Sequence, residues 1–398
     1  MSLLSQARTA RPIVTYDGVD VTKEVYPSLI ELIYKEGIQF SGDALMLRLA
    51  DPEGRFRLTW TLKAVVPLTL SFHTENWNYP GEIVDHVAGS FMVSRVDISQ
   101  SKPGGTVVNL YASSISPASS GRLERKSFAW DSTNLQELAG QIAQKNNLSL
   151  HYLTKDNPTL ARVDQHDESD YNLLNRLCKQ HDLFLKVKNG GLWIRGYSEQ
   201  EALSAIGTII CPTKNNPGGI NGVGGVESWY LTDNVEDVYA NSESAWRSNQ
   251  LGATVKSTAT DPGAEAGLPT LHTKENPHVA YPTSKPPLGE GQVPGAKAGE
   301  VGWAGPLYDP PATPHTDELA DSTGQALAKL KSKNRKRRKH SFVLPLNLTV
   351  ESSTVYAVSG FAKGFDGNWL VLHVEHHFLG KSGAGSTTTL DIHKCLDF

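Results

Sequence analysis

Between residue 12 and about residue 115 the apolar residues recur at every second position in short runs, the period of a strand with one buried face and not of a helix. Leu45, Leu47 and Leu49 alternate strictly, and Asp51-Pro52-Glu53-Gly54 then supplies a turn in which proline fixes φ. Phe91 and Val93, then Val108, Leu110 and Ala112, keep the same period on either side of Lys102-Pro103-Gly104-Gly105, which predicts a hairpin in a sheet or barrel. At about 150 residues per domain, a chain of 398 residues has room for two to three domains, and 35 glycines and 22 prolines suit many turns. The balance of 38 basic and 42 acidic residues gives a net charge of −4, so no global field draws the molecule onto nucleic acid or an anionic membrane. Cys178, Cys211 and Cys395 lie far apart with no CxxC spacing, which indicates neither a zinc site nor a disulfide framework and suits a reducing compartment. The N-terminal stretch lacks an apolar core of signal-peptide length, and no apolar run approaches the roughly 20 residues of a spanning helix.

From about 120 to 200 the period changes. Thr133 with Gln136 fits a capping box, and Leu135, Leu138, Ala139, Ile142 and Ala143 share a helical stripe that ends at Asn146-Asn147, residues tolerant of a left-handed cap. A strand over 148–153 is expected next. Glu168-Ser169-Asp170 opens a second helix, with Leu173, Leu174, Leu177 and Cys178 on one face, and strands over 183–187 and 192–194 come after it. The glycine-rich stretch 212–225 reads as a linker or barrel loop. Strand character returns at 226–231 and at Val238-Tyr239. Residues 261–314 are proline- and glycine-rich without periodicity and read as an exposed insertion or an arm that a partner orders. Asp317 to about Lys333 predicts a helix, with Leu319, Thr323, Leu327 and Leu330 on one side and lysines toward its C-terminal end, and β character resumes beyond Ser341.

The chain also echoes itself. Residues 89–97, GSFMVSRVD, overlie residues 367–375, GNWLVLHVE, at a constant offset of 278, matching Gly89 with Gly367, Phe91 with Trp369, Val93 with Val371, Val96 with Val374 and Asp97 with Glu375. Each segment then passes through a Lys/Gly/Ser-rich turn into another strand. The match predicts a duplicated β unit, unless two hairpins share an aromatic residue near glycine by coincidence. Two such units per chain would let three chains present six similar modules to a hexameric partner.

Few residues invite chemistry. On a strand, His373, Glu375 and His377 share a face and could form a three-ligand metal site, the basis of an alternative reading as a metal-dependent hydrolase of cell-wall material. The plainer reading is a solvated or interface strand. The run from Lys329 to His340 is strongly basic but has no aromatic residue for base stacking, so a solvated helix end or a basic face docking on an acidic partner ring is preferred to nucleic-acid binding through Arg335 to Lys339. Asp167, Glu168 and Asp170 sit at a helix start, where acids stabilise the N-terminus, so a glycosidase pair is set aside. The glycine-rich loop lacks the Lys-Ser/Thr and succeeding helix of a phosphate loop. No catalytic, cofactor-binding or metal-binding residue is assigned.

Residues 163–194 nevertheless resemble the most recognisable stretch of the phage late-control D proteins, the tail or baseplate hub family. Gln165, Glu168-Ser169-Asp170, Leu173-Leu174, Arg176-Leu177 and the strand from Leu183 to Val187 carry the likeness. Residues 226–239, the helix running into Asn334-Arg335, LPLNLTV, GNWLVLHVEHHF and STTTLDI look like the family's second half. Asp182 departs from the family's common glycine after the second helix, and the 261–314 insertion is longer than the family pattern. The resemblance implies a mainly β fold with α+β parts. It divides into a first tube-like antiparallel β-barrel over 1–115, a small α/β domain with two helices over 116–205 and a second barrel from 206–260 and 341–398. A Pro/Gly-rich insertion or arm at 261–316 and a helix with a basic end at 317–340 complete the division. It further implies a homotrimeric baseplate hub of a contractile tail, phage or bacteriocin, similar to the N-terminal part of type VI secretion spike proteins. Such a hub adapts a hexameric tail tube to a central trimeric spike by assembly, without turnover or a cofactor. Its partners would be the spike and tube proteins, then baseplate wedge and tape-measure proteins, with no nucleic-acid contact and no membrane span. It would be made in the bacterial host cytoplasm and end in the particle's baseplate.

Overall fold

A computed structural model describes residues 9–38, 40, 42–59, 65–77, 81–247, 254–262, 268–273, 315–380 and 385–396. Almost all of the 261–316 arm, apart from 261–262, 268–273 and 315–316, lies outside the described residues, as do the side chains of 315–322, Leu319 among them. The chain is mainly β, and its main sheet has 15 strands, three of them only two residues long.

The other strands of that sheet fall into two repeats of six. The first comprises β1 (Thr9–Tyr16), β2 (Leu29–Gly37), β3 (Ala44–Ala50), β4 (Pro67–Glu75), β5 (Ile83–Ser101) and β6 (Gly105–Ser113), in the order β2-β3-β6-β5-β4-β1. Between the repeats lies an α/β unit. Its hairpin pairs β7 (Arg125–Asn134) with β9 (Thr159–Ser169). Its small sheet holds β8 (Ser149–Leu153), β10 (Leu183–Lys188) and β11 (Gly191–Gly196), with helices α1 (Leu135–Lys145), α2 (Asp170–Gln180) and the short α3 (Tyr197–Glu201). The second repeat comprises β12 (Thr208–Ile210) and β13 (Ser228–Asp233) and, beyond a separate small sheet over 241–273, β14 (Arg338–Pro345), β15 (Val355–Ser359), β16 (Gly367–Leu379) and β17 (Thr387–Lys394). Its order, β13-β14-β17-β16-β15-β12, repeats the first. Helix α4 (His315–Asn334) precedes β14.

The echo in sequence is therefore an echo in structure. The lateral row Val93–Ala112–Leu45–Tyr34 across β5, β6, β3 and β2 has its counterpart in Val371–Ile392–His340–Leu231 across β16, β17, β14 and β13. The ladder slips between Val93 and Arg95 in one repeat and between Val371 and His373 in the other, a bulge at the same offset of 278. Gly89 and Gly367 adopt φ +141° and +129°, which side chains resist, so both copies need glycine there. Only the outermost pairing differs, since β1 runs antiparallel to β4 whereas β12 runs parallel to β15.

The two repeats are continuous with each other. They share one sheet, and among the described residues the hydrogen bonding closes neither repeat on itself. The reason is β16, whose first part pairs with β15 and whose second part pairs with β2 of the first repeat. It also serves two cores, Trp369, Val371 and Val374 packing in the second and Phe378 in the first.

Locally the expectations hold with three shifts. Asn134, not Thr133, caps α1: Asn134 directly precedes the first helical residue, and its side chain accepts from the Glu137 N–H at 2.9 Å. Val238-Tyr239 is not strand: Asn334 at the end of α4 takes both backbone groups of Tyr239, and the strand begins at Asn241. The basic end of α4 stops at Asn334, and strand resumes at Arg338, where the ladder with Asp233 begins. The loop 212–225 folds into a hairpin of two-residue strands about Asn221-Gly222, a pair suited to such a turn.

A buried ionic node ties the parts together. Arg335 binds Asp182 after α2 and reaches Glu201 of α3 at 2.8 Å, while His393 of β17 meets Glu201 at 2.9 Å. Burial works against the arginine's charge, but the two carboxylates hold its pKa above the ordinary value. Removing one member of such a pair strands the others, typically at about 3–5 kcal/mol. Arg335→Met is expected to lower stability by about that amount in urea unfolding, whereas exposed Lys339→Ala changes it by less than about 0.5 kcal/mol.

Candidate functional site

The recognisable motif has a structural job. Gln165, almost fully buried, donates through its side-chain amide to the Glu168 carbonyl at 2.9 Å and to Asp170 at 3.1 Å, bracing a bulge in β9 just before α2. Ser169 caps the helix by accepting from the Asn172 N–H, Lys126 meets Asp170 at 2.6 Å, and Arg176 meets Glu168 at 2.5 Å. Asp167 pairs with Arg125 at 3.1 Å. Each of the three acids is thus engaged by a cation. Asp182 adopts φ +59° in place of the glycine that the resemblance leads one to expect, and its carboxylate enters the Arg335 node, which glycine could not do.

The histidine cluster lies on β16, where it faces β2. Glu375 pairs with Lys35 at 2.8 Å and His377 with Glu31 at 2.6 Å, while His373 packs over Gly37. His376, between them, is buried, stacks on Tyr34 with ring centroids 5.8 Å apart and meets the Thr388 hydroxyl at 3.0 Å. The segment is spent on joining the repeats. Among the described residues no group of three or more His, Cys, Asp or Glu is arranged to hold a metal ion.

A second buried node, absent from the sequence reading, sits at the meeting of all three parts. Lys186 of β10 reaches Glu36 of β2 at 2.7 Å and Asp43 at 3.3 Å, Lys188 reaches Glu36 at 3.2 Å, and Ser352 donates to Glu36 at 2.9 Å. Burial pushes both carboxyls up; the lysines overcome it at Glu36, held down to about 2, while Asp43 stays raised. The available signal was a pair of lysines two apart in the otherwise apolar strand FLKVK. The basic run is likewise largely consumed: besides Arg335, both Arg337 and Arg338 bind Asp233, and Lys333 binds Asp237.

What remains open is backbone. Beyond the bulge, Arg95–Ser101 of β5 pairs with β6 on one edge, and no described strand pairs with the other. Among the described residues β13 pairs only with β14. Large apolar side chains stand exposed on these two edges, Ile98 at 49% on one, Trp229 at 44% and Tyr230 at 70% on the other. At the internal junction of β16 with β2 the positions equivalent to Ile98 and Trp229 are His376 and Leu32, both buried.

No family model matches the chain, and neither does any curated protein. Solved structures do. The tail protein from Neisseria meningitidis MC58 superposes with a TM-score of 0.62 at 12% identity, covering 97% of this chain and 96% of its own. The 43 kDa tail protein of prophage MuSo2 from Shewanella oneidensis gives 0.62 at 11% identity, covering 96% and 98%. The E. coli c3393 protein, a type VI secretion component described as similar to T4 bacteriophage tail proteins gp27 and gp5, gives 0.51 at 7% identity over 95% and 76%. The chain thus has, over nearly its whole length, the fold of these phage tail and secretion proteins.

Burial holds the His376 pKa down to about 4. Its folded value lies below its unfolded one, so the neutral ring stabilises the fold fully above about pH 6.5 and that contribution is lost as pH falls toward 4. Stability measured by urea unfolding is expected to fall across that window. His376→Phe, which keeps the stack on Tyr34, should remove up to one proton's worth of slope, about 1.4 kcal/mol per pH unit.

Proposed function

We propose that this chain is a structural hub of a contractile tail, of a phage or a tail-like bacteriocin, acting without turnover as a homotrimer that matches a hexameric tail tube to a trimeric spike. The observation that carries this reading is the pair of unpaired edges together with the internal junction that shows how to fill them. Inside the chain, β16 beyond its bulge pairs antiparallel with β2, His376 opposite Tyr34. The offset of 278 carries His376 to Ile98, and the lateral rows carry Tyr34 to Leu231. The same junction made between neighbouring copies therefore sets Val96–Ser101 against Ser228–Asp233, with Ile98 opposite Leu231.

Such a contact is head to tail, and head-to-tail contacts close into rings when the rotation permits. Three copies then alternate an internal junction with an intermolecular one, six similar junctions about one axis. The pairing satisfies two open backbone ladders and covers Ile98 and Trp229. Fold likeness to tail proteins, and to c3393, itself described as similar to T4 tail proteins gp27 and gp5, agrees with this role. The partners are the central spike and the tube, and the site of action is the baseplate.

Light scattering of the chain, alone and mixed with the spike protein encoded nearby, tests the ring. A mass of three times 43.3 kDa, plus any spike, is expected in one or both. In Ser99→Lys/Tyr230→Lys, which sets like charges opposite across the junction at two exposed positions, the trimer should give way to a folded monomer. A wild-type monomer in both samples would sink the reading.

A further inference from the structure

One feature of the surface has no part in the ring. Helices α2 and α4 each turn a polar stripe into a shared groove of about 660 Å³, Asn172, Asn175, Arg176 and Lys179 from one, Lys329, Ser332 and Lys333 from the other, with Lys336 just beyond its end. Both sets keep the spacing of a single helix face. Five cations therefore line one cavity. Arg176 and Lys333 are paired with carboxylates, Glu168 and Asp237, and Lys336 lies near enough to Asp237 to help hold it ionised, while Lys179 and Lys329 form no ion pair among the described residues.

Helix dipoles account for part of this, since Lys179 and Lys333 lie in last turns, where a cation is favoured. They do not account for Lys329, one turn earlier, half-buried and held below the ordinary lysine pKa by burial with no acid to offset it. Cations brought face to face across a narrow groove repel one another unless an anion lies between them. An adjoining cavity of about 520 Å³ shares Asn175, Lys179, Ser332 and Lys336; Phe40, Phe184 and Leu372 form its apolar wall, and Asp182, Arg335 and His393 of the ionic node line the rest. None of the residues lining the basic groove is aromatic, so it offers no base-stacking platform.

We propose that this groove is a docking site for an acidic segment of a partner protein, its carboxylates set between Lys179, Lys329 and Lys336 and a neighbouring apolar residue entering the Phe184 and Leu372 cavity. The groove shares no residue with the open edges, so it works whether or not the ring forms, and its failure leaves the ring reading intact.

Fluorescence anisotropy of the full chain with a labelled Glu-Glu-Leu-Glu repeat peptide tests the site. Saturable binding that weakens with salt is expected, together with none by the Gln-Gln-Leu-Gln peptide. In Lys179→Glu/Lys336→Glu the affinity should drop at least about tenfold at unchanged Tm, because both lysines are exposed. If that variant misfolds, Lys179→Gln/Lys336→Gln should still show a drop of several-fold. Equal affinity in the variants, tighter binding of a labelled oligothymidylate of equal charge, or full displacement by millimolar inorganic phosphate would each overturn the proposal, the last two pointing to nucleic acid or to a small-anion site instead.

Discussion

The ladder between β16 and β2 is the contact on which the rest of the architecture depends. One strand spends its first four residues on its own repeat and its last seven on the other. It lends side chains to both cores on the way, so neither repeat can settle without fixing the position of its neighbour. The bulge at Val371–His373 lets this happen, since an extra residue bends a strand and re-aims the segment beyond it. The first repeat has the same bulge in β5, and there the segment beyond it has one edge without a partner strand among the described residues.

Around that ladder the parts are held by charge as well as by apolar packing. The Glu36/Asp43/Lys186/Lys188 node and the Asp182/Glu201/Arg335/His393 node both lie where the α/β unit meets the sheet. Buried ion pairs contribute little net stability once desolvation is counted, but leaving any member unpaired costs several kcal/mol. Their effect is to penalise wrong dockings of the α/β unit. It also accounts for where so many of the chain's titratable groups are spent.

The histidine-rich strand illustrates how one pattern supports two readings. Alternation places His373, Glu375 and His377 on one face in either case. Their neighbours decide between the readings: β2 brings Lys35 and Glu31 within 2.8 Å of two of them and a glycine beneath the third. The basic run shows the same division. Arg335, Arg337 and Arg338 are drawn into pairs with acids roughly 100 to 150 positions away along the chain, while Lys329, with no ion pair among the described residues, and Lys336 face α2.

Sequence by itself determined the strands of period two and the helices of the middle unit, with Ser169 at one start and Asn147 past one end, because these arise from local periodicity and capping chemistry; it showed the echo at an offset of 278, which only the matched strand order and bulges separated from coincidence. Even the departure at Asp182 was visible as a residue out of pattern. The tertiary structure alone decided that the two repeats share one sheet, which lysines meet which carboxylates, and which edges are left unpaired among the described residues. Lys186 lies 150 residues from Glu36 and Arg335 lies 153 from Asp182. Nothing in the local pattern encodes such a meeting; it arises only when the sheet's register has brought the strands together.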